Sequence, residues 1–349
     1  MHDDPALLRR VLGRYGKNAE AIAPLGAGLI NRTYLVRDAS EALVLQWINP
    51  IFPPITHVHV RAVTEHLKAQ GLITPRVLST LDGNASADME NEGIWRLMSY
   101  IEGTSINTMV NEAQARSSGA LVGRFHAALD SLDYAFEGGR GFSHDTEKHL
   151  GLLRESIASK YADHRLYKET QSLGSAILEA AEAMPALPDL PKRICHGDLK
   201  VNNIVFEGQE PDHCEKALCL VDLDTVGPMA LAHELGDAWR SWCNPKGEDS
   251  EDIVFDLPIF AASLEGYSEG LGRCLSEAER NALLYGVEWI ALELCSRFAA
   301  DALRECYFGW NSRRYPGRGE HNLLRAKGQW KLFQAALACR EKRAVYLGF

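Results

Sequence analysis

The chain has 349 residues and a formal net charge of −10, with 46% hydrophobic and 24% charged residues. This composition is typical of a globular protein and excludes a disordered one. The negative charge argues against nucleic acid as a partner, because broad binding to phosphates needs a basic face. The first ten residues lack the apolar core of a secretory signal, and charged residues interrupt the most apolar stretch, 282–303, so we expect no membrane partner.

The cysteine pattern indicates the compartment. Eight cysteines contain no C-x-x-C pair, and several lie within apolar runs such as 218–221. Such residues are typical of buried free thiols in a reducing compartment rather than of disulfides or a zinc site. We therefore expect a cytoplasmic protein, and a monomer or weak dimer.

Strands and two helices are predicted for the first hundred residues. The apolar patterns predict a helix at 5–15, strands at 20–25, 31–36 and 42–48, a helix at 56–70, and strands at 76–80 and 93–99. We therefore predict a small β-rich N-terminal lobe over residues 1–101.

The pattern becomes helical after residue 102. It predicts a helix at 111–132, one or two helices at 147–184, short strands at 194–223, and mainly helices at 230–343 with a loop at 307–322. Residues 102–349 are thus expected to form a larger, mainly helical lobe. The predicted fold class is α+β and bilobal, with a cleft between the lobes where ligands usually bind.

Two polar motifs follow short apolar runs in the second lobe. Residues 194–206 read I-C-H-G-D-L-K-V-N-N-I-V-F, and residues 218–225 read L-C-L-V-D-L-D-T. Asp198 and Asn203 lie five residues apart across a tight loop, and Asp222 ends the next strand. Together they place a base, a neutral oxygen ligand and a second carboxylate near one spot, a set that suits a hard cation such as Mg²⁺.

Two further polar residues belong to these motifs. Lys200 follows Asp198 by two residues, where its ammonium group would neutralise charge on a transferring phosphoryl group; the alternative is a solvated loop lysine. A base, metal ligands and a cation are the components of phosphoryl transfer. Three roles are open for Asp224: it supports the residues that bind the metal, it contacts the sugar, or it caps a helix before residue 230.

The motifs resemble those of a known family. H-x-D-x-x-x-x-N followed by an apolar strand ending in Asp resembles the catalytic and metal-binding loops of protein-kinase-like folds. The H-G-D form with V-D-L-D is similar to the aminoglycoside phosphotransferase and choline kinase superfamily. Within it, five segments resemble N-acetylhexosamine 1-kinases: G-A-G-L-I-N-R-T-Y at 26–34, L-Q-W-I-N-P-I-F at 45–52, R-F-x-x-D at 297–301, Y-F at 307–308 and H-N-L at 321–323.

The resemblance implies a bilobal protein-kinase-like fold and a role for each matched residue. Asp198 would accept the proton of the attacking hydroxyl, while Asn203 and Asp222 would hold Mg²⁺ against the phosphates of ATP. Gly26 and Gly28 would lie over those phosphates, where a residue without Cβ permits close approach. A simple hairpin turn is the alternative for the two glycines.

The same resemblance implies a hinge between the lobes, and it shows that one residue of the family pattern is replaced in this chain. Met98 and Tyr100 match the interlobe hinge, whose backbone would bind the adenine edge. Most members carry a Lys on the third strand that pairs with a helix Glu, but here Gln46 occupies that position, and Glu65 is the candidate helix residue. The cation that neutralises the α and β phosphates is left open, with Arg61 or Mg²⁺ alone as possibilities.

The acceptor site is expected around one buried arginine. Arg297 lies in an apolar helix, where an unpaired guanidinium is costly, so it should meet a carboxylate or a ligand. Its planar donors suit sugar hydroxyls or an acetamido carbonyl, and Tyr307 would supply a stacking face. The alternative is an internal ion pair with Glu293 or Asp301, within reach on one helix.

These observations predict an ATP- and Mg²⁺-dependent small-molecule kinase. The leading hypothesis is phosphorylation of the anomeric hydroxyl of a sugar, with an N-acetylhexosamine as the acceptor. The alternatives are an aminoglycoside or choline-type kinase and, supported only by Gln46, a nucleotide-binding pseudokinase.

Overall fold

The structure is a computed structural model that describes residues 4–26, 30–38, 40–138, 144–211 and 213–349. The helices are α1 (Pro5–Arg14), α2 (Ile55–Ala69), α3 (Glu112–Leu129), α4 (Thr146–Ile157), α5 (Tyr167–Ala183), α6 (Leu231–Trp242), α7 (Leu257–Leu271), α8 (Glu277–Arg304), α9 (Arg318–Ala338) and α10 (Arg340–Tyr346). The strands are β1 (Ala21–Pro24), β2 (Arg32–Arg37), β3 (Ala42–Ile48), β4 (Ala87–Asp88), β5 (Ile94–Ser99), β6 (Thr104–Ser105), β7 (Arg193–Cys195), β8 (Ile204–Phe206), β9 (Ala217–Leu220) and β10 (Gly227–Met229).

An antiparallel sheet forms the N-terminal lobe, with strand order β1-β2-β3-β5-β4. Leu45 lies at its centre, opposite Tyr34 on one side and Leu97 on the other. Helix α1 begins at an Asp4 cap and packs its apolar side, which includes Leu8, against these residues. Because β3 alternates buried and half-buried residues, one face of the sheet is available to the cleft.

The expected strand at 76–80 is wrong as a regular element. Only Val77 bridges to Met98, and the Leu78 N–H donates to the Leu97 carbonyl at 2.8 Å. The physical reason is competition for one edge, because β4 already pairs with Trp95 and Ile94 on that side of β5. Pro75 precedes the segment and has no N–H to offer.

The second lobe is mainly helical, with two small β ladders at the cleft. The ladders join β6-β8-β9 and β10-β7 in antiparallel fashion. The first motif lies between β7 and β8, and the second motif lies between β9 and β10. The α+β bilobal class predicted from the sequence is confirmed.

Helix α2 packs with the second lobe although it lies between strands of the first. Val60, Val63 and Leu67 belong to the large apolar cluster that includes α3 and α7. The His66 ring approaches the Ala128 carbonyl at 2.9 Å, and His59 contacts the Tyr134 hydroxyl at 2.7 Å. The chain therefore crosses between the two cores on either side of α2.

All eight cysteines are free, and five of them are buried, as expected. Among the described residues, every helix is too short or too polar to span a membrane.

Glycines allow α3 and α7 to cross at backbone contact. A Cβ on Gly119 would lie 2.0 Å from the Ser263 carbonyl, and one on Gly266 would lie 2.0 Å from the Arg116 carbonyl. Real side chains do not approach carbonyl oxygens this closely, so any larger residue would push the helices apart. The close approach buries the apolar side of both helices in the central core.

We expect Gly119→Ala and Gly266→Ala each to lower the free energy of unfolding by about 1–3 kcal/mol, the usual effect of overpacking. Gly151→Ala in α4 is the control, because nothing lies within 4 Å of its Cβ; it should raise stability by about 0.5–1 kcal/mol. Urea unfolding measures all three. Equal stability of the α3, α7 and α4 variants would contradict the crossing.

Candidate active site

The first motif forms a loop that passes directly against the second. Gly197 has φ +83°, and a Cβ there would lie 2.6 Å from the Thr225 carbonyl. The Thr225 hydroxyl donates to the His196 carbonyl at 2.8 Å. The positive φ and the close approach both require glycine at this point. The two motifs are therefore held in one fixed relation at the base of the cleft.

A buried carboxylate on α6 fixes this loop. Glu234 accepts the backbone N–H groups of His196 at 2.7 Å and Gly197 at 2.9 Å. Burial opposes its charge, but the neighbouring His126, 3.4 Å away, and the loop N–H groups outweigh burial and lower the pKa of Glu234. Cys195 lies close enough to complete a three-residue group with His126 and Glu234. Because Glu234 holds the loop, we assign this group to the scaffold.

Asp198, Lys200 and Asn203 converge at the cleft. The Lys200 ammonium lies 2.9 Å from Asp198 Oδ2, and Asn203 Nδ2 donates to the Asp198 carbonyl at 2.8 Å and to its Oδ2 at 3.2 Å. The charge of Asp198, opposed by burial and helped by Asp222, raises the pKa of Lys200. The loop thus presents a carboxylate with a cation beside it, both partly open to solvent.

Asp222 completes the set from the second motif. Its backbone is left-handed, with φ 64° and ψ 51°, and its side chain opens to the cleft. The dense protein surroundings, followed by the charges of Asp224 and Asp198, raise the pKa of Asp222 to about 6. No described donor bonds this carboxylate, and the amide nitrogen of Asn203 is turned to Asp198. Open, mutually repelling oxygens are the donors that a hard divalent cation requires.

Asp224 accepts hydrogen bonds from two residues of the first lobe. Its Oδ1 accepts from Arg96 Nη1 at 2.6 Å, and its Oδ2 accepts from Asn31 Nδ2 at 2.8 Å. Gln46, on the neighbouring strand, accepts from Arg96 Nη2 at 2.8 Å. Both oxygens of Asp224 therefore bond to protein groups of the first lobe, an arrangement that differs from the sugar contact and from the helix cap that were two of its predicted roles.

The predicted nucleotide residues have different surroundings. Gly26 has φ +74° with open space where a Cβ would be, and Gly28 lies outside the described residues. Met98 is buried in β5 opposite Val44, whereas Tyr100 follows the strand and its N–H donates to the Ala42 carbonyl at 3.2 Å.

Glu65, the candidate helix residue, is exposed on α2. The structure therefore does not bring it together with Gln46, whose amide bonds to Arg96 and, at 3.1 Å, to Thr33 Oγ1. The exposed position of Glu65 follows from helical spacing, because Val63 and Leu67 face the core.

Arg297 faces a loop after α8 that is built on one carboxylate. Buried Asp301 accepts the backbone N–H groups of Tyr307 at 3.0 Å and Phe308 at 2.8 Å. The guanidinium carbon of Arg297 lies 5.9 Å from the Tyr307 ring centre and 5.5 Å from that of Phe308. Glu293 is 3.9 Å from Arg297 Nη1, too far for a hydrogen bond. Arg297 therefore lies beside the two rings and also within ion-pair distance of Glu293, which was the alternative partner, while its role toward an acceptor stays a prediction.

Several charged groups lie near Arg297, around the buried carboxylate of Glu293. Glu293 binds His144 at 2.9 Å and Thr146 at 2.6 Å. Burial opposes the charge of His144, but Glu293 and then Asp237 outweigh burial and raise the pKa of His144. Asp237 Oδ1 accepts two hydrogen bonds from Arg240, whereas its buried Oδ2 has no partner in the described part of the chain. That oxygen is therefore a buried acceptor without a described donor.

Several site residues were missed by sequence reasoning. Arg96 carried a signal, since a guanidinium in the middle of an apolar strand needs a partner. Glu234 and Asp237 lie three residues apart on α6 and are both buried; this spacing predicts a shared helix face. His144 had no signal, because its partner Glu293 is 149 residues away.

Comparisons with known proteins agree with this geometry. The family model described as the phosphotransferase enzyme family (APH) matches residues 21–272. A homoserine kinase from Zymomonas mobilis subsp. mobilis is 23% identical over 275 residues, which are 78% of each chain.

Two solved structures share the fold. Amicoumacin kinase hAmiN, in complex with AMP-PNP, Ca²⁺ and Ami, has a TM-score of 0.64 and 14% identity over 94% of both chains. The microcompartment-associated aminopropanol kinase has a TM-score of 0.63 and 16% identity, covering 97% of this chain and 98% of that one.

Glu234→Gln is expected to lower the free energy of unfolding by about 1–3 kcal/mol at neutral pH, because one backbone N–H loses its acceptor. Glu265→Gln, at an exposed ion pair with Arg116, is the control and should cost about 1 kcal/mol or less. The folded-state pKa of Glu234 is lowered, so its contribution is present above the ordinary value of 4.5 and shrinks as the pH falls. Unfolding at pH 7 and pH 3.5 tests this, and a difference that grows in acid would contradict it.

Proposed function

The chain belongs to the phosphotransferase enzyme family (APH), whose model matches residues 21–272, and from this premise we propose that it phosphorylates the anomeric hydroxyl of a sugar with ATP and Mg²⁺. The family match and the similar kinases indicate an enzyme that transfers a phosphoryl group to the alcohol of a small molecule. An N-acetylhexosamine is the proposed acceptor.

Asp198 would position the acceptor hydroxyl and take its proton as the hydroxyl oxygen bonds to the γ-phosphorus of ATP and the bond from that phosphorus to the departing ADP breaks. Lys200, held beside Asp198 at 2.9 Å, keeps its positive charge and balances the charge that develops on the transferred group. Asn203 and Asp222 would hold the metal, which supplies charge neutralisation for the phosphates. Placement and charge neutralisation account for catalysis in reactions of this class.

The nucleotide is proposed to bind between the sheet and the catalytic loop. The turn after β1, which begins at Gly26, would cover the phosphates, and the chain after Met98 and Tyr100 would meet the adenine. Because the Tyr100 N–H is already bonded to Ala42, the following residues, 101–103, are the better candidates for the adenine hydrogen bonds.

The observation that supports a sugar acceptor is the Arg297 guanidinium beside the Tyr307 and Phe308 rings. An aromatic face suits the apolar side of a pyranose, and planar donors suit hydroxyl or acetamido oxygens. The unpartnered Asp237 Oδ2 would accept a sugar hydroxyl.

An amino alcohol is the second candidate acceptor. The Zymomonas relative is named homoserine kinase, and a zwitterion would place its carboxylate on Arg297 and its ammonium on Asp237. The two candidates differ in one respect that can be measured: only the amino alcohol requires a charged amine.

Asp198→Asn is expected to reduce turnover by about 10²–10⁴-fold, because the amide cannot accept the hydroxyl proton, while ADP·Mg²⁺ binding stays within about threefold of the wild type. Turnover is measured as acceptor-dependent ADP release and binding by calorimetry. Retained turnover would reject the role of Asp198.

A panel of N-acetylglucosamine, N-acetylgalactosamine, galactose, homoserine, kanamycin and choline identifies the acceptor class. The proposal expects the N-acetylhexosamines to be fastest, and Arg297→Lys to raise their KM by about tenfold or more with the KM for ATP unchanged. Arg304→Lys, on the same helix, is the control. Preference for homoserine would favour the second candidate and overturn the sugar.

A further inference from the structure

The ion pair between Asp224 and Arg96 joins the two lobes in the protein interior. Arg96 lies on β5 of the first lobe, and Asp224 lies in the turn after Asp222 in the second. Their side chains are only 1% and 2% exposed, and Nη1 and Oδ1 are 2.6 Å apart. An ion pair buried this completely strongly resists separation, since either charge would be left without a partner.

Three amide and hydroxyl groups extend the pair across the sheet. Asn31 donates to the second oxygen of Asp224 and accepts the Asn49 N–H at 3.0 Å. Gln46 accepts from Arg96 and donates to Thr33 at 3.1 Å. Strands β2, β3 and β5 are therefore all connected to the turn that carries Asp222.

A buried histidine adds to this arrangement without adding charge. His57 of α2 is 1% exposed, and its ring nitrogens have no hydrogen-bond partner among the described residues. Burial, and then the charge of Arg96, lowers the pKa of His57 to about 4, so it is neutral at physiological pH. Arg96, and not His57, therefore neutralises the charge of Asp224.

Because position 46 holds a neutral glutamine, Arg96 is the cation that pairs with Asp224. A lysine at position 46 would stand where the Gln46 amide now meets the guanidinium, and two cations would face one carboxylate. With glutamine there, Arg96 is neutralised by Asp224 and is fully enclosed, so it has no route to a phosphate.

We propose that Asp224, Arg96 and Asn31 form an interlobe latch that holds the sheet on the second lobe and thereby positions Asp222. The three are positioning residues, since they act through Asp222 and its left-handed backbone. The latch rests on the proposed function only in that ADP and Mg²⁺ serve as probes.

Arg96→Met and Asp224→Asn test the latch, with Arg76→Met, an exposed arginine of the same lobe, as the control. Calorimetry measures ADP affinity with and without Mg²⁺ in the absence of acceptor. The gain in affinity on adding Mg²⁺ should fall by about 10–100-fold in both latch variants, as for other residues that support metal ligands. An equal loss with and without Mg²⁺, or no loss, would overturn the proposal.

Rescue separates charge from packing. Gln46→Lys alone should weaken Mg²⁺-dependent binding, because it adds a second cation. The same substitution combined with Arg96→Met should restore at least part of the lost affinity, because the ammonium replaces the missing charge. A double variant no better than Arg96→Met would contradict the latch.

Hydrogen exchange gives a readout that needs no ligand. Backbone amides of residues 222–225 and 31–33 should exchange faster together in the latch variants than in the wild type. Asn31→Ala removes one hydrogen bond and leaves the ion pair, so it should give a smaller change of the same kind. This variant carries the test if the other two fail to fold. Faster exchange in only one lobe would count against the latch. A wild type that binds no ADP would end the proposed function, while exchange would still decide the latch.

Discussion

The geometry of the cleft depends on two hydrogen bonds that one buried carboxylate accepts from a loop backbone. Glu234 accepts two consecutive N–H groups, from His196 and Gly197, and so orients the peptide that leads into Asp198. An ionised acceptor in a water-free surrounding binds N–H groups more strongly than a neutral one. Because Glu234 lies on α6 together with Asp237 and Arg240, the helix that fixes the loop also carries Asp237, which we propose to contact the acceptor.

Hydrogen bonding distinguishes the carboxylates that support the fold from those that we propose to act in the reaction. Glu234, Asp224 and Asp301 are buried, and both oxygens of each are bonded to protein groups. Asp198 and Asp222 instead open to the cleft, and Asp222 feels the repulsion of its neighbours. The open carboxylates are the ones that a cation and a substrate would stabilise, which is how sites of this kind are usually arranged.

The sequence alone predicted individual helices, strands and motifs, but it did not predict contacts between side chains that are far apart in the chain. The alternation in 42–48 and the helical period in 111–132 predicted β3 and α3, and the H-G-D and V-D-L-D motifs predicted the convergence at Asp198 and Asp222. The strand at 76–80 failed because competition for an edge is a property of the whole sheet. Arg96 and Asp224 are 128 residues apart, and no local pattern reveals such a pair. The residues proposed to contact the acceptor, Asp237 on α6 and Arg297 on α8, are 60 residues apart, and no local pattern brings them together.

The packing of α2 has a consequence for how the cleft can open. Its apolar residues Val60, Val63 and Leu67 are embedded in the larger core, and His66 is bonded to α3. Detaching the helix would expose this apolar surface to water, whereas the sheet has a separate core with α1. Helix α2 therefore stays with α3, and a movement of the sheet relative to α2 would have to break the Arg96–Asp224 pair and remove Met98 from the larger core. The connections on either side of α2, near residues 50 and 72, are therefore where the chain passes from the core of the sheet to the core of the second lobe and back.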